Sequence, residues 1–232
     1  MLGNLLILAD SAFPSGSHGH SSGLEFAIQQ QWVGDAASLE QWGRTVLRFS
    51  LLPSDGRALI QTWFLLQASP DREAGIIGLN RDLAALRPGK LQREASAQVG
   101  RSFLRSSLDA WGDKIDGGLA TGFLSNAMRQ SADFIQYPLA WAIVCSGLAI
   151  PIADSLGAYL TASVRQMLQV AVRIMNIGQR EALAVQSRLA KYIEALAVDI
   201  TAEAQRPLAS SAFRFDMAGL GHESLERRYF RS

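Results

Sequence analysis

Hydrophobic residues recur along this chain at intervals of three and four positions, the spacing of one face of an α-helix. Two clear examples are the stripes Leu39, Trp42, Val46, Phe49 and Leu189, Ile193, Leu196, Ile200. No stretch shows the sustained two-residue alternation, bounded by turn residues, that is typical of strands. The pattern therefore predicts an all-α protein, a compact single-domain bundle of about nine or ten helices.

Turn-forming residues predict where the first helices begin and end. Ser38, with Gln41 completing a capping box, is expected to cap the first stripe. Pro53-Ser54-Asp55 is expected to close that helix and open the next, with Ser54 or Asp55 as its cap. Ser69-Pro70 is expected to begin a third helix, because proline is tolerated in the first turn.

The second half of the chain carries similar signals. The glycine-containing stretch 112–122 predicts a loop, and residues 122–135 are expected to be helical again. Tyr137-Pro138 and Pro151 are each expected to open a helix.

Two segments do not fit a bundle. Asp10 to Gly23 has the composition of a loop, although it lies between apolar helical segments. The chain after Pro207 has few aliphatic residues but several aromatic ones. We predict a helical domain over residues 1–206 and a flexible partner-binding tail over residues 207–232. A frayed terminus is the alternative for the tail.

The charge balance excludes two classes of partner. The 22 basic and 21 acidic residues give a net charge of +1, whereas nucleic acids and anionic membranes require concentrated positive charge. The apolar run Leu139–Ala153 is shorter than the ~18–20 residues of a membrane span, and Gly147 and Pro151 interrupt it. Without a basic, apolar leader at its start, the chain is expected to be cytoplasmic.

No strong catalytic motif is present. His18 and His20 with Glu25 could bind a metal, but the helical His-Glu-x-x-His pattern is missing. Ser21 beside these histidines lacks a nucleophile elbow, and Glu25 is better explained as completing a capping box from Ser22. The single Cys145 excludes an intrachain disulfide and is expected to be a buried thiol. We therefore expect no enzyme activity.

Four separated stretches nevertheless resemble the urease accessory protein family UreF. Residues 5–25, LLILADSAFPSGSHGHSSGLE, resemble the family's opening, and residues 33–42 resemble its V-x-D-x-x-x-L-x-x-W helix entry. Residues 137–140, YPLA, and the stretch from 158 to 179 resemble further family motifs. The end, HESLERRYFRS, resembles the family's HETQYSRLFRS. The chain departs from the family at Gln136 and Asn176, where the usual residues are His and Pro.

The resemblance implies a UreF-like helical dimer that helps to deliver nickel to urease. Its partners would be UreD (also called UreH), the GTPase UreG and apo-urease, and it would influence GTP-dependent nickel transfer. It implies no stable cofactor or metal in this chain, because the complex as a whole would handle nickel.

Three groups of residues are expected to serve this function. The first is the partner-binding tail: Phe213, Phe215, His222, Glu223, Tyr229, Phe230, Arg231 and Ser232. The second, expected at the dimer or a UreG-facing surface, is Arg173, Gly178 and Gln179, and Tyr137 is added as a partner contact. The third, expected to organise the loop or line a nickel passage, is Phe13, Pro14, His20, Ser21 and Glu25. The alternatives are a helical metal-dependent hydrolase using His18, His20 and Glu25, and a scaffold outside the urease system.

Overall fold

The regular structure of this chain is helical throughout the part that the computed structural model describes, residues 2–68, 71–126, 135–196 and 198–231. The all-α prediction is confirmed. The α-helices in chain order are α1 Leu2–Leu8, α2 Leu24–Gln29, α3 Ala36–Val46, α4 Arg57–Ala68, α5 Arg72–Ala85, α6 Lys90–Trp111, α7 Gly117–Asn126, α8 Tyr137–Gly147, α9 Ile152–Ile174, α10 Gln179–Ala195, α11 Ile200–Gln205 and α12 Phe213–His222. A 3₁₀ turn spans Ser17–Gly19, and a π-helix spans Leu47–Gly56.

Helix α8 is the centre of the bundle. All its residues from Pro138 to Cys145 are buried, because α4, α6 and α9 pack around it. Gly100 lets α6 approach closely, since a Cβ at that position would lie 2.3 Å from the Ile135 carbonyl oxygen. The buried Cys145 thiol confirms the prediction, and burial raises its pKa to about 12.

A cluster of aromatic rings joins α8 to its neighbours. The Trp141 ring stacks on Phe103 of α6 at a centroid distance of 5.2 Å and meets Tyr159 of α9 edge-on at 5.7 Å. The buried Trp141 indole N–H donates to the Ser155 carbonyl oxygen at 3.2 Å. This polar anchor lets a large ring lie in the core without an unpaired donor.

The expected break at Pro53 is wrong. The backbone remains helical from α3 through the π-helix into α4, with Pro53 inside the π-helix. A proline within an α-helix clashes with the carbonyl four residues earlier and lacks an N–H, and a π-helical segment relieves the conflict by shifting the hydrogen-bond pattern to five residues. The Arg57 N–H accordingly donates to the Leu52 carbonyl.

Two helix starts also differ from the predictions. Asp35, not Ser38, caps α3: its Oδ1 accepts the Ser38 N–H at 2.8 Å, and the Ser38 hydroxyl completes the capping box. The glycine-containing stretch becomes helical at Gly117, where Asp116 Oδ1 accepts the Leu119 N–H at 3.1 Å. The expected start at Ser69-Pro70, and most of the helix expected over 122–135, lie outside the described residues. The predicted starts at Tyr137-Pro138 and Pro151 are confirmed.

The chain after Pro207 returns to the bundle. Residues 207–212 have no regular structure and run along the π-helix. Helix α12 then packs against α2 and α6. Helix α12 was not predicted from the sequence. Across the described part of the chain, no helix combines the length and the apolar character needed to cross a bilayer.

Candidate partner-binding site

Glu25 joins the opening loop to the end of the chain. Its fully buried carboxylate accepts the Tyr229 N–H at 2.7 Å through Oε1 and the Phe230 N–H at 3.1 Å through Oε2. The His222 Nε2 lies 3.1 Å from the same Oε2, and the His222 side chain is buried as well. We call Glu25, His222 and the backbone of residues 229–231 the tail clasp.

The tail clasp replaces the expected capping box. Helix α2 begins after Gly23, which makes no side-chain cap and has a φ of +84°. The predicted pair of Ser22 and Glu25 is therefore wrong, because both Glu25 oxygens accept hydrogen bonds from the distant tail. A serine followed three residues later by a glutamate is compatible with either arrangement, so the local sequence alone could not distinguish them.

Backbone contacts complete the junction between loop and tail. The Arg231 N–H donates to the Gly19 carbonyl at 2.8 Å. Gly23 lies against α12, where an added Cβ would be 2.7 Å from the Gly219 nitrogen. Because glycine has no side chain and tolerates a positive φ, it permits both features at once. The loop and the tail, which the sequence separates by about 200 residues, form one structural unit.

The predicted tail anchors divide into inward and outward groups. Phe230 is buried, with the Arg173 guanidinium 5.9 Å from its ring centroid, and His222 belongs to the tail clasp. Phe215 is half-buried against Trp42. The exposed predicted residues are Phe213, Glu223, Tyr229 and Arg231. Ser232 lies outside the described residues.

The exposed large side chains of α12, together with Tyr229, are the candidate binding residues of the tail, and we call this set the tail face. Phe213 is 73% exposed, Met217 43% and Leu220 42%, and Tyr229 is 80% exposed. The α12 residues are separated by four and three positions and so share one side of the helix. Met217 and Leu220 were missed from the sequence, although their spacing from Phe213 would have revealed them once this segment was recognised as a helix.

The second predicted group lies partly at the surface. Gly178 and Gln179 are exposed where α10 begins, and Arg173 is exposed near the end of α9. Tyr137, by contrast, packs between the rings of Tyr159 and Trp141, and burial raises its pKa above the usual value. Tyr137 is thus placed in the aromatic cluster and not on an open surface.

The loop residues of the third group face the interior to different degrees. The Phe13 ring packs 4.9 Å from Phe103, whereas Pro14 is exposed and its carbonyl accepts the Ser106 hydroxyl at 3.3 Å. His20 and Ser21 are buried and line a cavity of about 170 Å³ that is partly open to the surface. This volume has room for several water molecules.

A buried ion pair lines the same cavity. Arg87 Nη2 lies 2.7 Å from Asp55 Oδ1, and the Tyr159 hydroxyl donates to Asp55 Oδ2 at 2.7 Å. Burial and the Asp55 charge raise the pKa of Tyr159 well above its usual value. The predicted helix cap at Asp55 is therefore wrong: the carboxylate instead joins the π-helix to α9 and to Arg87, just after α5.

The geometry does not assemble the metal site of the hydrolase alternative. Glu25 and His20 are both buried, but the Glu25 oxygens already accept two backbone N–H groups. Within the described residues, no group of three His, Cys, Asp or Glu side chains is placed to hold a metal ion. The His18 side chain lies outside that description.

His20 makes stability depend on pH. Burial, then the nearby Arg231 charge and His222, lower its pKa from the usual value. The folded protein therefore favours neutral His20, while an unfolded histidine binds a proton near pH 6.5. Since the unfolded state binds more protons in this range, stability decreases as pH falls below about 6.5.

We expect a His20→Gln variant to lose part of this dependence. Urea unfolding at pH 7.5 and pH 5.5 should show a smaller drop in unfolding free energy for the variant than for the wild type. An equal drop in both proteins would show that His20 does not contribute to the acid sensitivity.

Comparison with known proteins gives a consistent assignment. The UreF family model matches residues 33–190. A protein named "Urease accessory protein UreF" from Bradyrhizobium diazoefficiens is 31% identical across 98% of this chain and 90% of its own length. Relatives of the same name from Rhodopseudomonas palustris (strain BisA53) and Azorhizobium caulinodans are 30% and 31% identical, across 98% and 95% of this chain. With a matching family model over more than half its length and relatives that align almost end to end, the chain belongs to the UreF family of urease accessory proteins.

Proposed function

We propose that this protein is a nickel-insertion chaperone for urease that binds a UreD-type partner (also called UreH) and the GTPase UreG. In this role it regulates GTP-dependent nickel transfer and helps to deliver the ion to apo-urease. The observation that carries the proposal is the tail face, an exposed apolar surface on a chain that belongs to a urease accessory family. The protein acts by binding and positioning other proteins.

The tail face has the composition of a protein-binding surface. Aromatic residues, Met and Arg are enriched in interfaces, and Phe213, Met217, Tyr229 and Arg231 are all exposed on the tail. The tail clasp holds these side chains in place before a partner arrives. Preorganisation of this kind lowers the entropic cost of association. We assign this surface to the UreD-type partner.

A second surface lies at the α9–α10 turn. Arg173, Gly178 and Gln179 are exposed there, and Arg173 also covers the buried Phe230 ring. This contact links the turn to the tail. We assign the turn to UreG or to a second copy of this chain in a homodimer.

The cavity beside the loop is consistent with nickel passing along this chain without being stably bound by it. His20 and Ser21 line the cavity, while the Glu25 carboxylate is occupied by the tail. We therefore assign Glu25 to organisation of the loop and tail. Nickel is the cargo of the assembled complex in this proposal.

Truncating the exposed aromatic side chains should weaken partner binding without unfolding the protein. We expect the double variant Phe213→Ala/Tyr229→Ala to bind the UreD-type partner at least tenfold more weakly, because interface aromatics often contribute about 2 kcal/mol or more each. The measurement is a titration of purified UreD-type partner, followed by urease activation in a strain that lacks its own UreF.

Phe64→Ala is the matched control. Phe64 is a partly exposed aromatic residue on α4, outside the tail face. This control should bind the partner as the wild type does. Wild-type affinity in the double variant, with the fold intact by circular dichroism, would remove the tail face from the interface.

A further inference from the structure

Residues 206–211 form a strap that runs along the helix formed by the π-helix and α4. Gln61 Nε2 donates to the Arg206 carbonyl at 2.7 Å, and Arg57 Nη1 donates to the Pro207 carbonyl at 2.8 Å. Two further bonds attach the strap to the helix backbone: Ala209 N–H to the Pro53 carbonyl at 3.0 Å and Ser211 N–H to the Phe49 carbonyl at 2.8 Å.

The strap and the helix are in register. Successive contacts move back along the helix from residue 61 to 57, 53 and 49, four residues at each step. Four helical residues rise about 6 Å, and two extended residues span about 6.6 Å. One helical turn therefore offers one carbonyl for every second residue of the strap, as Ala209 and Ser211 show.

The Phe49 and Pro53 carbonyls, which accept hydrogen bonds from the strap, differ from ordinary helix carbonyls in their donors within the helix. In an α-helix the Phe49 carbonyl would accept the N–H of residue 53, but that residue is proline and has none. The Pro53 carbonyl would accept the Arg57 N–H, which instead donates to the Leu52 and Ser54 carbonyls. Both acceptors therefore lack the donor four residues later that an α-helix would supply, because the π-helix around Pro53 pairs each carbonyl with the N–H five residues later.

We propose that Pro53 is a positioning residue for the tail, because it provides the acceptors that seat Ala209 and Ser211 and thereby fixes where α12 begins. Helix α12 starts two residues after Ser211, so the seat sets the position of the tail face. The tail is then held at two ends, by this seat before α12 and by the tail clasp after it. The role goes beyond the proposed function, since it holds whatever partner binds.

Replacing Pro53 tests the proposal, because it should loosen the tail locally without lowering the overall stability of the protein. In Pro53→Ala the new N–H can donate to the Phe49 carbonyl, so the helix gains a bond that competes with the Ser211 N–H for the same oxygen. We expect amide hydrogen exchange at residues 209–222 to become roughly three- to tenfold faster, the factor for loss of one net hydrogen bond. The overall urea midpoint should not fall. A proline acting only through the stability of the bundle would move the midpoint and leave this local exchange unchanged.

Ser211→Pro attacks the same contact from the strap side. It removes the Ser211 N–H and should also accelerate exchange in α12, whereas Ser211→Ala keeps the N–H and should not. Pro151→Ala, at the start of α9, is the control for a proline replacement elsewhere. Unchanged exchange at residues 213–222 in Pro53→Ala would overturn the proposal, even if Ser211→Pro accelerates it, because the seat would then not depend on Pro53.

Discussion

Glu25→Ala is expected to release the tail and to lower the free energy of unfolding by about 3–5 kcal/mol. The substitution removes a buried carboxylate and leaves the N–H groups of Tyr229 and Phe230 without their acceptor. His222, also buried, loses its partner at 3.1 Å. Buried donors without partners are costly because water no longer solvates them. Urea unfolding at pH 7.5 measures the loss.

The control for this prediction is in the tail itself. Glu226 is an exposed carboxylate, and Glu226→Ala should change stability by less than about 0.5 kcal/mol. Glu25→Gln keeps the shape and one acceptor oxygen, so its effect should fall between the two. A Glu25→Ala protein as stable as the Glu226→Ala protein would show that the tail clasp does not hold the fold together.

The same variant connects stability with partner binding. If the tail clasp preorganises the tail face, Glu25→Ala should weaken binding of the UreD-type partner although Phe213 and Tyr229 are still present. This outcome would separate the two roles of the tail: exposed side chains make the contact, and buried groups hold it in position.

The core helices could be predicted because burial imposes a period on the sequence. Leu39, Trp42 and Val46 are buried on α3 and Leu189 on α10, as the stripes indicated, whereas Phe49 at the end of the first stripe is 43% exposed. Such helices bury large apolar side chains at a spacing that a local window can detect.

Helix α12 escaped this logic because its buried face carries Ala218, Gly219 and the polar His222 in place of large apolar side chains. Ala218 and Gly219 are buried, and a Cβ on Gly221 would lie 2.4 Å from the Phe26 ring. The large side chains of Phe213 and Leu220 point outward instead. Hydrophobic periodicity is visible only when the buried positions carry large apolar side chains. A helix face of small residues that packs by close backbone contact therefore gives little periodic pattern in the sequence.

The candidate site was only partly predictable for a related reason. The sequence singled out Glu25 and the tail aromatics, but local rules assigned Glu25 to its own helix. Its actual partners follow about 200 residues later, a distance over which no local pattern operates. The resemblance to a family marked both segments as functional, and only the fold shows that they touch.

Asp55→Ala is expected to lower the free energy of unfolding by about 3–5 kcal/mol, because it leaves the largely buried Arg87 guanidinium without its countercharge. The Tyr159 hydroxyl loses its acceptor at the same time. Removing both charges should be much less harmful: in Asp55→Ala/Arg87→Met no buried charge remains unpaired.

A double-mutant cycle by urea unfolding should therefore show the double variant more stable than Asp55→Ala alone. The exposed pair of Lys90 and Glu94, 3.8 Å apart, supplies the control, since Glu94→Ala should cost no more than about 0.5 kcal/mol. Strictly additive effects at Asp55 and Arg87 would mean that the cavity solvates each charge independently, with water in place of the ion pair.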